Sequence, residues 1–272
     1  MTVRGQVVVV TGGAQGIGRS VARAFAAEGA LVAIADIAPM DNIVSEVENL
    51  GGDVLPVKTD VTNETQVRSL MQQVYRRFGR IDVLINDAAI VTHFHIGEPR
   101  WPRIRDMELG FFKKVLDVNL IGTFLCTKHV IPYMESLNAG HIISFGQGTV
   151  GGPPKPLPGH NDDGMGVYHV SKRAIRAFTR EVAAEERDFN ICALSMGPGG
   201  DSGSEGPGPE RAGRAGGGGG TITEDSPAWA REAAGSRVYS GGAHFVLAAE
   251  APIEFSGNQV AVQGGKLVIQ EN

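Results

Sequence analysis

Val7-Val8-Val9-Val10-Thr11-Gly12-Gly13-Ala14-Gln15-Gly16-Ile17-Gly18 is the stretch that decides the fold. Four consecutive valines have no polar alternation, so they read as a strand buried on both faces, and the strand empties directly into a glycine turn. Beyond the turn Ile17, Val21 and Phe25 recur at helical spacing until Gly29 stops the pattern. A helix therefore begins at the glycines, with the unpaired N–H groups of its first turn facing whatever the loop holds, which is a seat for a pyrophosphate. The spacing Gly12-x3-Gly16-x-Gly18 differs from the G-x-G-x-x-G dinucleotide fingerprint, so its context carries more of the reading than its spacing. A second apolar run, Leu31 to Ala35, supplies that context, because it ends at Asp36, where a carboxylate can bond adenosine ribose hydroxyls.

Working outward, strand-like runs alternate with helical periodicity. They are Val7 to Thr11, Leu31 to Ala35, Val54 to Val57, Ile81 to Ile85, His141 to Phe145, Ile191 to Met196 and Gln259 to Val262. The alternation predicts a single α/β domain over residues 1–272, a doubly wound, Rossmann-type sheet of seven parallel strands with helices on both faces. Val67, Leu70, Met71, Val74 and Phe78 mark the core face of one helix, and Val170, Ala174, Ala177, Phe178 and Val182 that of another. Right-handed crossovers bring the strand C-termini to one edge, so the glycine turn, Asp36, Asp60, Asn86, Ser144 and Pro198 are expected around a common crevice. Two stretches break the regularity. Residues 151–166 are rich in Pro and Gly, and residues 199–226 contain the run Gly216 to Gly220, read either as a surface loop or as a substrate lid with a floppy centre.

Tyr168 and Lys172, the ends of Tyr168-His169-Val170-Ser171-Lys172, would share one face of a helix. An ammonium beside a phenol favours the phenolate, so the pair can form a proton-transfer device, although i, i+4 pairs of this type also occur on solvated faces.

The glycine spacing together with the Tyr-x3-Lys pair resembles the short-chain dehydrogenase/reductase family. The resemblance spans nearly the whole chain. It includes Asp60-Val61, Asn86-Asp87-Ala88-Ala89, Asn119 within Asn119-Leu120-Ile121-Gly122-Thr123-Phe124, Pro198-Gly199, and Gly264-Gly265 after the last strand. It implies an NAD-dependent oxidoreductase acting on a small-molecule secondary alcohol or ketone. Tyr168 would exchange the hydroxyl proton, Lys172 would hold the nicotinamide ribose and lower the phenol pKa, and Asn119 would support a relay water. Gly12, Gln15, Gly16, Ile17, Gly18, Asp36, Asp60, Val61, Asn86, Ala88, Tyr168, Lys172, Pro198 and Gly199 would hold the cofactor. Without the family, Asn119 reads as a buried amide satisfying backbone groups. The family also implies a homo-oligomer, usually a tetramer.

The fourth catalytic position departs from the family. Its usual Ser after the fifth strand aligns with Gln147, and the segment before Tyr168 is longer than usual; Ser144 and Thr149 are alternative donors. Asp87 stands where a second Asn is commoner, and Ser202 or Ser204 would replace a carboxamide-binding Thr after Pro198-Gly199. The departures keep a second function open, a catalytically impaired relative serving as a dinucleotide-binding regulatory or structural subunit, and behind it a dehydratase or epimerase. His93 and His95 have metal-like spacing but no accompanying carboxylate or Cys cluster, so no metal is expected; Phe94, Trp101 and His160 are candidates to line the substrate site.

Composition excludes other classes. The 25 basic and 30 acidic residues give a net charge of −5 with no basic cluster, which argues against nucleic acid. Apolar runs are strand-sized, and the N-terminus enters its first strand without an export leader, so no membrane span is expected and a cytoplasmic location is. Cys126 and Cys192 sit in apolar stretches and read as inert core thiols.

Overall fold

The computed structural model describes residues 3–90, 102–146, 166–196, 248–249, 251, 253–263 and 266–269. Its strands are β1 (Val7–Thr11), β2 (Leu31–Asp36), β3 (Val54–Lys58), β4 (Val83–Asn86), β5 (Gly140–Phe145), β6 (Ile191–Met196), β7 (Gln259–Gln263) and β8 (Lys266–Ile269). They form one sheet in the order β3-β2-β1-β4-β5-β6-β7-β8. All seven expected strands are present and parallel. An eighth, antiparallel strand extends the edge, so Gly264-Gly265 lies between β7 and β8 instead of after the last strand. Lys266-Leu267-Val268-Ile269 is too short and too close to its partner to announce itself by periodicity.

The helices are α1 (Gly16–Ala27), α2 (Asp41–Asn49), α3 (Glu64–Phe78), α4 (Leu109–Leu116), α5 (Gly122–Leu137) and α6 (Gly166–Glu185). They cover both faces of the sheet. Val8, Val10, Val32 and Ile34 pack against Val21 and Phe25 of α1 and Ile43 and Val47 of α2. Val7, Val9, Ala33 and Ala35 pack the other way, against Leu70 and Val74 of α3, Val130 of α5 and Val182 of α6. Successive valines of β1 thus enter opposite cores, and each is 0% exposed. Full burial of a Val side chain contributes about 1.5–3 kcal/mol, which is why a run without alternation is stable only in a sheet covered on both faces.

One expected helix face is corrected. In α6 the side chains turned inward include Val167, Ser171, Lys172, Ile175 and Thr179, whereas Val170 is 47% exposed, Ala177 is exposed and Phe178 is half-buried. Val182 of the expected face is buried and Phe178 packs partly against the core, so the expected face is rotated from the true one, which also carries polar groups that bond within the protein. Among the described residues, no helix is long and apolar enough to cross a membrane.

Candidate active site

The strand ends align. Thr11 is level with Ala35 and with Asn86, Asn86 with Ser144, and Ser144 with Ser195. β1 lies between β2 and β4, and successive crossovers depart from it in opposite directions, the switch point at which doubly wound sheets open a crevice.

The glycine turn is clamped against the end of β4. The Thr11 hydroxyl accepts hydrogen bonds from Asp87 N and Ala88 N, each at 3.2 Å. Gly12 has φ +72°, and a Cβ there would stand 2.8 Å from Ala88 Cα. At Gly18 a Cβ would fall 2.3 Å from the Gly12 carbonyl oxygen. Only glycine meets both demands. Gln15 caps α1 with extended backbone, φ −150°, and no side-chain bond, leaving the first-turn amides to accept an anionic group. This cradle fits the pyrophosphate of a dinucleotide.

Asp36 braces the same turn. Its carboxylate accepts Ala14 N at 3.0 Å and Ala38 N at 2.9 Å. A carboxylate has roughly four acceptor positions, so ribose hydroxyls still have room on it. Arg19 is bound to Glu46 through both Nε and a terminal nitrogen, and Arg23 also reaches Glu46. Asp60 is held in its turn by accepting Thr62 N and the Thr62 hydroxyl, while Val61 is buried against Gly122.

At the other side of the crevice α4 and α5 form one rod interrupted by a π turn, Asp117–Ile121. Such bulges re-aim side chains and often sit at functional sites. The turn buries Asn119 completely. Asn119 Oδ1 accepts Ile90 N at 2.7 Å, and Nδ2 donates to Ile90 O at 3.3 Å and to Ser171 Oγ at 3.0 Å. Ser171 in turn donates to Tyr168 O at 2.7 Å. Asn119 therefore does satisfy backbone, and in doing so ties the end of β4 to the first turns of α6.

Tyr168 and Lys172 share that segment. Lys172 is 2% exposed, and its ammonium lies 5.3 Å from the Phe145 ring centroid and 5.6 Å from that of Tyr168. Burial lowers its pKa to about 8, with Asp87 opposing the shift. The phenol, expected to be lowered, is instead pushed up to about 12, by burial first and the Asp87 charge second. Asp87 is itself raised to about 6, chiefly by burial, against the opposing pull of Lys172 and of its hydrogen bond from Gly18 N–H. This carboxylate was legible in sequence only as a departure; its electrostatic influence on Tyr168 and Lys172 was not.

Asn86 and Ser144 are buried side by side, with Asn86 Nδ2 donating to Ser144 Oγ and to Thr127 Oγ1, each at 3.2 Å. Gln147, Thr149, Pro198, Gly199, Ser202, Ser204, His93, Phe94, His95, Trp101, His160 and the Gly-rich stretch lie outside the described residues. Cys126 and Cys192 are buried and unbridged, and burial pushes both thiols up to about 12.

A doubly wound sheet with a glycine cradle at its switch point, a buried Lys and a Tyr one turn before it defines a dinucleotide-binding α/β protein. Residues 6–204 match the family model for short chain dehydrogenase. Secoisolariciresinol dehydrogenase of Forsythia intermedia is 34% identical over 200 residues, covering 72% of this chain and 66% of that one. The 3-oxoacyl-(acyl-carrier-protein) reductase of Thermotoga maritima is 32% identical over 203 residues, covering 73% and 75%. The crystal structure of NAD+-bound xylitol dehydrogenase matches with a TM-score of 0.64 at 29% identity, over 73% of this chain and 71% of that one. The chain belongs to the short-chain dehydrogenase/reductase family, and spans about two thirds to three quarters of the length of these curated relatives.

Proposed function

We propose that the protein is an NAD-dependent oxidoreductase interconverting a secondary alcohol and its ketone, with Tyr168 as the acid/base. The observation that carries this reading is the placement of Tyr168 beside the buried ammonium of Lys172, in a segment that Asn119 ties to the same strand end that clamps the glycine turn. The nicotinamide, when bound, supplies or accepts the hydride. A phenol held at about 12 is neutral near pH 7, the form that can hand a proton to a ketone oxygen. The reverse direction needs the phenolate, so oxidation is expected to speed up as pH rises. Lys172, when protonated, stabilises that phenolate and can donate to ribose hydroxyls. Gln147 is the proposed donor that orients the substrate oxygen in place of the family's Ser, and Pro198 and Gly199 complete the cofactor-binding set.

Two features support NAD over NADP. Asp36 would face the additional 2′-phosphate with like charge, and Arg19, the nearby cation, is engaged by Glu46. The expected result is tight NAD binding, poor NADP binding, and a selectivity that collapses in Asp36→Ala. Equal dissociation constants for the two cofactors would remove Asp36 from this role. Cofactor reduction against a panel of secondary alcohols, with Tyr168→Phe as control, tests the reaction itself: near-native turnover in the variant would overturn the assignment of Tyr168, and tight NAD binding without turnover on any substrate would favour the binding-subunit reading that the absent Ser raises.

A further inference from the structure

We infer that Asp87 is a positioning residue that couples binding of the anionic dinucleotide to proton uptake, its carboxylate standing against Gly18 of the glycine turn. The inference rests on the dinucleotide reading of the same site.

The carboxylate takes a hydrogen bond from Gly18 N–H, one of the first-turn amides of α1, and a Cβ on Gly18 would stand 2.9 Å from Asp87 Oδ2. Its backbone cannot retreat, because Asp87 N and Ala88 N are both held by Thr11, and the same peptide is pressed against Gly12. Among the described residues, the titratable groups that interact with it through charge are Asp36 at the end of β2 and Tyr168 and Lys172 on α6. From α1 it meets the Gly18 amide, while Arg19 is turned to Glu46. An Asn in this place would accept the same N–H without charge. The structure therefore puts a negative charge against amides that would also face the phosphates.

The direction of the coupling follows. In the free protein the carboxyl is raised to about 6 by burial, so it is mostly ionised at pH 7.5. Phosphates arriving at the same helix end add like charge and raise it further, so binding above pH 6 draws a proton from the buffer onto Asp87. The dissociation constant should fall as pH falls from 8 to 6, by up to about tenfold for each unit by which the bound and free values differ.

Calorimetric titration of NAD into the full-length protein, in buffers of different ionisation enthalpy from pH 5.5 to 8, reads the protons taken up per dinucleotide. The wild-type protein is expected to show fractional uptake between pH 6 and 7.5. Asp87→Asn should lose it and bind roughly 3- to 10-fold more tightly at pH 8. Lys172→Met should keep the uptake and move it to higher pH, because removing the cation raises Asp87 further. Normal wild-type binding without proton uptake overturns the inference, as does uptake that persists in Asp87→Asn and vanishes in Lys172→Met. No wild-type binding of NAD at any pH would remove the dinucleotide reading itself, and this inference with it.

Discussion

On the proposed function, Lys172 sets function against stability. It is 2% exposed and its ammonium is lowered to about 8 by burial, so the folded state holds that proton less tightly than the unfolded chain does. The resulting penalty is fully present below about pH 8 and fades as pH rises toward the ordinary lysine value. Lys172→Met is therefore expected to stabilise the fold by about 1–3 kcal/mol at pH 6–7 and by little near pH 10, as read by urea denaturation at each pH, while abolishing turnover. For Tyr168→Phe the ring and its packing remain, so turnover should fall by about two or more powers of ten with NAD affinity nearly unchanged. The pH profile of oxidation should climb above pH 8, because the phenol is pushed up and the phenolate is the scarce form. At the fourth position, Gln147→Ala is expected to lower single-turnover rates roughly 10- to 10³-fold, with Ser144→Ala doing much less. A normal rate in Gln147→Ala with a collapse in Ser144→Ala or Thr149→Ala would transfer the role.

Among the elements, the π turn between α4 and α5 is the joint on which the site depends. It points Asn119 inward, where a single amide serves both the N–H and the carbonyl of Ile90 and the Ser171 hydroxyl. Asn119→Leu would strand the N–H and the carbonyl of Ile90, while Ser171 keeps its bond to Tyr168 O, and each unsatisfied group costs about 1–3 kcal/mol. Chemical denaturation should show a loss of at least about 2 kcal/mol, whereas Ser171→Ala, which leaves the Ile90 bonds in place, should cost about 1 kcal/mol. Similar costs for the two variants would mean that the Ile90 clamp contributes little. The turn after β1 is equally intolerant, since an added Cβ at Gly18 meets backbone, which has no rotamer with which to yield. Gly18→Ala should weaken NAD binding at least about 100-fold while a folded protein remains detectable by its thermal transition.

Across the whole molecule, the apolar side chains that α5 and α6 leave partly exposed have their own consequence. Val170 and Ala177 of α6 are exposed, Ala174 and Phe178 are half-buried with Phe178 packed partly against the core, and Phe124 of α5 meets Phe178 edge-on with ring centroids 6.1 Å apart. Phe124 and Ile121 are 41% and 42% exposed. Exposed apolar side chains gathered on neighbouring helices are a candidate interaction surface. The family resemblance implies self-association through such helices, so Phe124→Glu is expected to shift the protein to smaller species in sedimentation velocity with the fold kept. An unchanged distribution would place any assembly elsewhere.

The architecture was legible in the amino-acid sequence because it depends on local patterns: buried parallel strands are continuous apolar runs, and a glycine turn before a helical repeat can be recognised without knowing what surrounds it. Seven strands and the places of Asp36, Asn86, Asn119, Tyr168 and Lys172 at one end of the sheet followed from that pattern and from the family resemblance. Periodicity was only partly right at α6, where Val182 and Phe178 pack inward but Val170 and Ala177 do not, because the inward face also carries Ser171 and Lys172, made tolerable by Asn119 and Phe145 distant in sequence, and Thr179, which bonds Ile175 one turn back. It also passed over β8, which depends on pairing with β7. Only the tertiary structure revealed that Asn119 reaches Ile90 through a π turn, that Arg19 is turned to Glu46, and that the Tyr168 phenol is raised instead of lowered. These are matters of burial and of charge across the crevice. They are set by which strand ends and helix turns converge, and no spacing along the chain encodes that distance.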